Sequence, residues 1–95
     1  MSAFKIAYHH QVVSLDLPKL SSEWKAKIKR AVEERLTIHP DLYGRPLRRS
    51  LKGYRKLRVG DYRVIFKIEK NTVKILIIEH RSVVYSRIDK RVKSN

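Results

Sequence analysis

The sequence predicts an α+β fold in which helices pack on one face of a twisted antiparallel sheet. The first observation is a helical stripe, because Trp24, Ile28, Val32 and Leu36 recur every four residues. The second is the alternation of apolar and polar residues over positions 57–77, interrupted twice by turn residues. The expected order is one strand, two helices, an antiparallel meander of strands and a short C-terminal helix.

The N-terminal third contains the strand and both helices. Apolar residues alternate with smaller or polar ones over residues 3–8, which predicts the first strand. Residues 12–17 form a short apolar helical patch that Pro18 is expected to end. Ser21 or Ser22 can cap the longer second helix, which carries the apolar stripe.

The remainder of the chain predicts a loop over residues 41–46, two hairpins and a last helix. Gly60-Asp61 and Lys70-Asn71 are interpreted as two-residue turns. The stretch 83–92 predicts a final amphipathic helix, at a chain end where fraying is expected.

The first turn fixes a register in which Val59 faces Tyr62 and Arg58 faces Arg63. In this register one side of the sheet packs against the helices as core: Leu57, Val59, Tyr62, Val64, Phe66, Val73, Ile75 and Ile77. The other side is expected to face solvent and to be basic: Tyr54, Lys56, Arg58, Arg63, Ile65, Lys67, Lys74, Leu76, Ile78 and His80.

Two directly opposed arginines with a lysine two residues away repel one another, and a bound anion would offset that cost. The whole chain supports this interpretation, since 23 Lys and Arg against 9 Asp and Glu give a net charge of +14. Such a potential favours a polyanionic partner, above all a nucleic acid. A membrane partner is not expected, because the densest basic residues are in strands rather than in an amphipathic helix.

Length and composition limit the kinds of site and the cellular compartment that are possible. A single domain over residues 1–95 is too small for a deep cavity, so an open surface groove is expected. The absence of cysteine excludes disulfides, Fe–S clusters and cysteine nucleophiles, and it favours a reducing compartment, the cytoplasm. No signal peptide and no membrane span are expected, because no apolar run of this sequence reaches the length that either requires.

No metal and no small-molecule cofactor is expected. His9, His10 and His39 lack further carboxylates or histidines at ligand spacing. The sequence also has no glycine-rich phosphate loop and no serine nucleophile elbow.

Two motif blocks carry a family resemblance. The segment LKGYRKLRVGDYRVIF at residues 51–66, followed by HRSVVY at residues 80–85, resembles the signature of the RelE/ParE superfamily of toxins from type II toxin–antitoxin systems, on its RelE side. The resemblance extends over nearly the whole chain, including residues 16–18 and the second helix. It implies a compact α+β fold with a concave basic sheet face and a ribonuclease that cleaves mRNA in the ribosomal A site without a metal. It also implies two partners, which are ribosome-bound mRNA with contacts to 16S rRNA and a cognate acidic antitoxin.

The resemblance assigns the family's functional positions residue by residue. It places the strand lysine at Lys56, the neighbouring basic residue at Arg58 and the arginine of the Tyr-Arg pair at Arg63. It places the arginine of the His-Arg pair at Arg81 and the C-terminal tyrosine at Tyr85.

Two positions depart from the best-studied RelE toxins. Tyr54 stands where those toxins carry a second lysine, and Glu79 stands where they carry a cationic residue that acts as an acid. His80 or Arg81 is expected to take over the acid role, and the sequence leaves both open. The expected RNA-binding residues around this site are Lys52, Tyr54, Arg55, Arg58 and Lys67.

Cleavage of RNA needs a base for the 2′-hydroxyl, positive charge on the phosphorane-like transition state and an acid for the leaving 5′-oxygen. Lys56 is the candidate base, because its arginine neighbours disfavour its charged form. Arg63 is the candidate for charge stabilisation, since a guanidinium matches phosphate oxygens. Histidine ordinarily titrates near neutral pH, which makes His80 a candidate acid. Tyr85 is interpreted either as a stacking platform for a base or as a packed aromatic residue of the last helix.

Two other functions remain as alternatives. A ParE-like protein would inhibit DNA gyrase by contact alone, and it would need no convergent base, cation and acid. A general RNA-binding module would present several exposed aromatic residues on the sheet, whereas only Tyr54 qualifies here.

Overall fold

The computed structural model of the protein describes residues 3–43, 45–47 and 53–93. Its centre is a five-stranded mixed sheet of order β1-β5-β4-β3-β2, in which β1 runs parallel to β5 and the other pairs are antiparallel. This confirms the α+β class and the central meander. The strands are β1 (Lys5–Tyr8), β2 (Arg45–Pro46), β3 (Tyr54–Val59), β4 (Tyr62–Glu69) and β5 (Thr72–His80).

In the part of the chain that the structure describes, three α-helices accompany the sheet: α1 (Ser22–Arg35), α2 (Pro40–Tyr43) and α3 (Val84–Lys93). Within the described ranges, none of the helices has the length and apolar character needed to cross a membrane. Residues 41–46 were predicted as a loop. Instead, residues 41–43 belong to the short helix α2, and residues 45 and 46 form the edge strand β2. Residue 44, between them, lies outside the described residues.

The predicted helix over residues 12–17 is a five-residue π-helical turn, Val12–Asp16, followed by a 3₁₀ turn, Leu17–Lys19. Pro18 was expected to end this segment, but the chain continues helically to Lys19. Proline is compatible with the first turn of a helix, because its fixed φ is helical and no N–H is needed there.

Helix α1 confirms the apolar stripe. The Ser21 hydroxyl caps the helix by accepting a hydrogen bond from the Trp24 N–H at 3.2 Å. Ile28, Val32 and Leu36 are buried against the sheet. Trp24 packs against Gly60 so closely that a Cβ at position 60, whose φ is +59°, would lie 2.5 Å from the indole ring. Glycine is therefore required in this turn both for its backbone conformation and for the approach of α1.

The β3–β4 hairpin has the predicted register. Val59 lies opposite Tyr62 and Arg58 opposite Arg63, so Gly60-Asp61 is a two-residue turn. The β4–β5 hairpin also begins as predicted, since Glu69 lies opposite Thr72 around Lys70-Asn71.

Further along β5 the predicted faces are wrong, because a bulge interrupts the ladder. Phe66 lies opposite Ile75, whereas the preceding Ile65 lies opposite Ile77, so Leu76 is an extra residue on β5. One inserted residue moves every later side chain to the other face of the sheet. Ile78 therefore joins the core under α1, and the predicted core residue Ile77 joins the opposite face. His80 likewise changes side and lies opposite Tyr62.

Helices cover both faces of the sheet, not one as predicted. Helix α1 packs on one face, called the α1 face, and α3 packs on the other, called the α3 face. Apolar side chains on the α3 face would otherwise be exposed, and the amphipathic α3 removes them from water. This second cluster consists of Ile65, Leu76, Ile77, Val84 and Ile88, with Leu47, Tyr54 and Val92 packed against it.

A buried ion pair fastens α3 to the sheet edge. Arg91 donates from Nη1 and Nη2 to the two carboxylate oxygens of Asp16, each at 2.9 Å. Both side chains are almost wholly buried. The same carboxylate accepts the Ile78 N–H at 2.8 Å, and Arg91 donates to the Leu76 carbonyl at 3.0 Å. Backbone groups at the bulge are thus satisfied by this pair, as buried polar groups require.

His9 lies next to this pair and gives the fold a sensitivity to acid. Its Nδ1 accepts the Gln11 N–H at 3.0 Å, and its ring stacks on His10 with a centroid distance of 4.3 Å. Burial, followed by the positive charges of His10 and Arg91, lowers the pKa of His9 from 6.5, although Asp16 acts in the opposite sense. Protonation is therefore disfavoured in the folded state.

We expect the protein to lose stability as the pH falls below the unfolded-state pKa of His9 and approaches its lower folded-state value. In that window the unfolded chain binds more protons than the folded one. His9→Gln should reduce the fall in melting temperature between pH 7.5 and pH 5, and His39→Gln is the matched control at an exposed histidine. An unchanged pH dependence in His9→Gln would contradict this role.

Candidate functional site

The strand register arranges the predicted cations of the α3 face in rows. Arg58 on β3 lies opposite Arg63 on β4, which in turn lies opposite Glu79 on β5. Lys56 lies opposite Ile65, two residues from the arginine row. Lys56, Arg58 and Arg63 therefore share one face, as the sequence predicts.

Helix α3 brings Tyr85 to Lys56. The Lys56 ammonium nitrogen lies 5.7 Å from the centre of the Tyr85 ring, within the range of a cation–π contact. Tyr85 is 50% exposed, so its ring remains available to a ligand. These two residues are far apart in sequence, and their contact depends on the docking of α3 across the sheet.

Arg63 is not on the solvent side as expected, because it is only 8% exposed. Its Nη1 donates to the carbonyls of Gly60 and Tyr62, at 3.0 and 2.9 Å. Arg63 therefore folds back over the β3–β4 turn and donates to two of its carbonyls. The Arg63 side chain is therefore buried within the row formed by Arg58, Arg63 and Glu79. The side chain of Arg58, opposite it on β3, is exposed.

Glu79 is a buried carboxylate within this cationic surface. Its side chain is 10% exposed, and its Oε2 lies 3.6 Å from both Lys19 Nζ and Arg87 Nη1. The bulge in β5 is the reason that Glu79, and not His80, occupies the row beside Arg63. Sequence reasoning missed Lys19 and Arg87, because neither element that carries them has a pattern pointing to this face.

The opposite end of the α3 face carries Tyr54 and Lys67. The Lys67 ammonium lies 5.6 Å from the Tyr54 ring centre. Glu69 pairs with Lys67 at 3.2 Å and with Lys74 at 2.6 Å, and these hydrogen bonds lower the pKa of Glu69. A pocket of about 190 Å³ opens beside these residues.

Two predicted site residues, His80 and Arg55, lie on the α1 side of the sheet. His80 packs its ring edge against Tyr62 on the α1 face, and its Nδ1 lies 2.8 Å from the Ser82 hydroxyl. Arg55 also lies on the α1 side and donates to the Asp41 carbonyl at 3.3 Å.

Arg81 directly follows β5 and contacts the tip of the β3–β4 hairpin. Its backbone N–H donates to the Asp61 carbonyl at 2.8 Å, and its Nε lies 3.9 Å from the Asp61 carboxylate. Its side chain is 59% exposed, so the guanidinium is accessible at the same end of the sheet as the arginine row. Lys52, predicted to bind RNA, lies outside the described residues.

This arrangement can bind an extended anionic ligand that has aromatic bases. Lys56 and Arg58 present positive charge to solvent, Arg63 adds charge from below, and Tyr85 offers a ring face for stacking.

Comparison with known proteins places the chain in the class of toxins from type II toxin–antitoxin systems. The family model described as ParE toxin of the type II toxin–antitoxin system parDE matches residues 7–85. The chain belongs to the RelE/ParE superfamily of these toxins.

Two relatives from Mycobacterium tuberculosis (strain ATCC 25618 / H37Rv) show the similarity in sequence. The chain is 38% identical to toxin RelG over 74 residues, which cover 76% of this chain and 85% of RelG. It is 36% identical to toxin RelE over 72 residues, which cover 74% of each. In structure it is similar to a chain of the toxin–antitoxin complex RelBE2 from Mycobacterium tuberculosis, with a TM-score of 0.77 and 31% identity, covering 83% of this chain and 99% of that one. The resemblance predicted from the two motif blocks is thereby confirmed.

Proposed function

We propose that this toxin is a ribosome-dependent endoribonuclease that cleaves mRNA in the A site and so inhibits translation in the cytoplasm. The contact between the Lys56 ammonium and the exposed Tyr85 ring carries the proposal. The contact supports it because the Lys56 side chain, the proposed base, lies beside a ring face on which an unstacked nucleotide base can stack, next to the charges of Arg58 and Arg63. Similarity to RelE and RelG supports the same activity.

In this mechanism Lys56 acts as the general base that takes the proton of the 2′-hydroxyl, and the 2′-oxygen attacks the adjacent phosphorus. The P–O bond to the 5′-oxygen breaks, which leaves a 2′,3′-cyclic phosphate and a free 5′-hydroxyl. Arg58 stabilises the charge that develops on the phosphoryl oxygens, with Arg63 contributing from below. Tyr85 stacks on a neighbouring base and orients the strand. The chain's own cations supply this charge, so the proposed reaction uses no metal.

We assign to Arg81 the stabilisation of the negative charge on the leaving 5′-oxygen. Of the two candidates, Arg81 has the accessible side chain, whereas His80 packs against Tyr62 on the other face. A guanidinium keeps its proton, so Arg81 stabilises the charge on the oxygen, which then takes a proton from water.

The ribosome completes the site by positioning the mRNA. RNA bound to the α3 face lies on an open surface, which by itself cannot hold the 2′-oxygen in line with the phosphorus. Such alignment contributes many orders of magnitude to the rate. Contacts to 16S rRNA would use further basic residues of a chain with a net charge of +14.

A translation reaction with purified protein tests the proposal. We expect new mRNA 3′ ends at ribosome-positioned codons, with cyclic phosphate termini, and no cleavage of the same mRNA without ribosomes. Arg81→Ala should slow cleavage more than His80→Gln, and the reverse order would move the leaving-group role to His80. Intact mRNA under these conditions would contradict the proposal.

Inhibition of DNA gyrase is the second candidate function, favoured by the match to the ParE family model. A gyrase supercoiling assay with the same preparation distinguishes the two. Inhibited supercoiling with intact mRNA would favour this candidate.

We further propose a cognate antitoxin that is acidic, amphipathic and partly disordered before it binds. An apolar groove of about 310 Å³ between α1 and the sheet is lined by Leu17, Ile28 and Ile78 and flanked by Lys25 and Lys29. Apolar anchors with acidic neighbours fit this lining. Expression of the toxin alone should arrest growth, and co-expression of the neighbouring acidic reading frame should relieve it. Unimpaired growth with the toxin alone would contradict both the proposed toxicity and its proposed inhibition by an antitoxin.

A further inference from the structure

Lys19 and Arg87 meet at a single buried oxygen. Lys19 lies in the 3₁₀ turn before α1 and Arg87 lies on α3, yet both charged groups lie 3.6 Å from Glu79 Oε2. The two cationic side chains are 50% exposed, whereas that of Glu79 is 10% exposed. The Glu79 carboxylate therefore lies beneath the charged groups of Lys19 and Arg87, which extend towards solvent.

These ion pairs leave hydrogen-bonding capacity unused. A separation of 3.6 Å is longer than a hydrogen bond, and among the described residues Glu79 Oε2 accepts none. Lysine has three N–H donors and arginine has five, so one carboxylate at this distance does not saturate them. Both cations can bind a second anion on their solvent side.

The pair also extends the row of charges already described. Arg63 lies opposite Glu79 and Arg58 lies opposite Arg63, so the same row carries two further cations beside the two that pair with Glu79. Without Glu79 the cations would repel one another, and with it the cluster still carries a surplus of positive charge. A phosphodiester supplies the missing negative charge together with acceptor oxygens.

We propose that Lys19 and Arg87 form a binding site for backbone phosphates of RNA, and that Glu79 is the positioning residue that holds them side by side. The site lies in line with Arg58 and Arg63, so one strand that passes Lys56 and Tyr85 can continue onto it. The choice of RNA as ligand rests on the proposed function.

Fluorescence anisotropy with a single-stranded 2′-O-methyl RNA tests this site separately from cleavage, because that RNA has no 2′-hydroxyl to attack. Lys19→Ala and Arg87→Ala should each weaken binding at low salt. Each should also reduce the slope of log affinity against log salt concentration by about 0.7, the contribution of one phosphate contact on a single strand. Lys90→Ala, which removes an exposed charge of α3 that is outside the ion pairs of Glu79, should leave the slope unchanged. Arg87→Lys should retain it.

Glu79→Gln tests the positioning role. In that background Lys19→Ala and Arg87→Ala should each cost less affinity than in the wild type, because the cations are no longer held together. Equal losses in both backgrounds would overturn the role of Glu79.

Unchanged salt slopes in both alanine variants, at wild-type melting temperatures, would overturn the phosphate site. Should an alanine variant melt early, Lys19→Gln and Arg87→Gln repeat the measurement with more of the side chain retained. Unchanged RNA slopes with weaker binding to poly-glutamate would assign the cluster to an acidic protein and also overturn it. If the variants change RNA binding as expected but the wild-type protein leaves mRNA intact in the translation reaction, only the nuclease proposal is refuted.

Discussion

Arg91→Ala should lower the free energy of unfolding by about 3 to 5 kcal/mol, the usual cost of leaving one member of a buried ion pair without its partner. Asp16 would keep a buried carboxylate with no guanidinium, and the Leu76 carbonyl would lose its donor. Equilibrium denaturation measures this loss. Lys90→Ala is the matched control, because it shortens an exposed cation on the same helix.

A double variant separates the charge from the packing. Asp16→Asn with Arg91→Met removes both charges but keeps an oxygen that can accept the Ile78 N–H. We expect it to recover most of the stability lost in Arg91→Ala, because well-packed neutral residues can replace a buried pair at little cost. A loss below 1 kcal/mol in Arg91→Ala would show that the pair does not hold α3, and this would remove its indirect role in placing Tyr85.

The hairpin and the long helix are predictable because their signals are local. The turn at Gly60-Asp61 fixes which residues of β3 and β4 face each other, and the apolar stripe of α1 repeats without interruption. Lys56, Arg58 and Arg63 could therefore be placed on one face from the sequence alone.

The bulge was not predictable from the same signals. Residues 75–78 are all apolar, so the sequence shows no alternation there, and either face fits each side chain. The bulge is accompanied by contacts from Asp16 and Arg91, which are 75 positions apart in sequence. Only the folded chain brings these two groups to the backbone of Leu76 and Ile78.

The extra residue in β5, Leu76, changes which side chains form the candidate site. With continued alternation His80 would share the face of Arg63, and Glu79 would lie on the other. The structure places them the other way round, with Glu79 opposite Arg63 and His80 opposite Tyr62. A carboxylate among the cations, rather than a histidine, is what brings Lys19 and Arg87 to the site.

Lys56→Ala should reduce ribosome-dependent cleavage by about 100- to 10,000-fold, the usual contribution of a general base. The melting temperature should stay near that of the wild type, because Lys56 is half-buried on the strand and its described contact is with the Tyr85 ring. Cleavage is measured by mapping mRNA 3′ ends, with Lys90→Ala as the control for loss of one positive charge.

Lys56→Arg distinguishes a base from a simple phosphate contact. Arginine retains the charge and the contact with the Tyr85 ring, but it does not give up its proton in proteins. If Lys56 is the base, Lys56→Arg should bind 2′-O-methyl RNA as well as the wild type and cleave mRNA as poorly as Lys56→Ala. Cleavage restored to the wild-type rate by arginine would show that Lys56 acts only through its charge, and the base would then have to come from the ribosome or from the RNA itself.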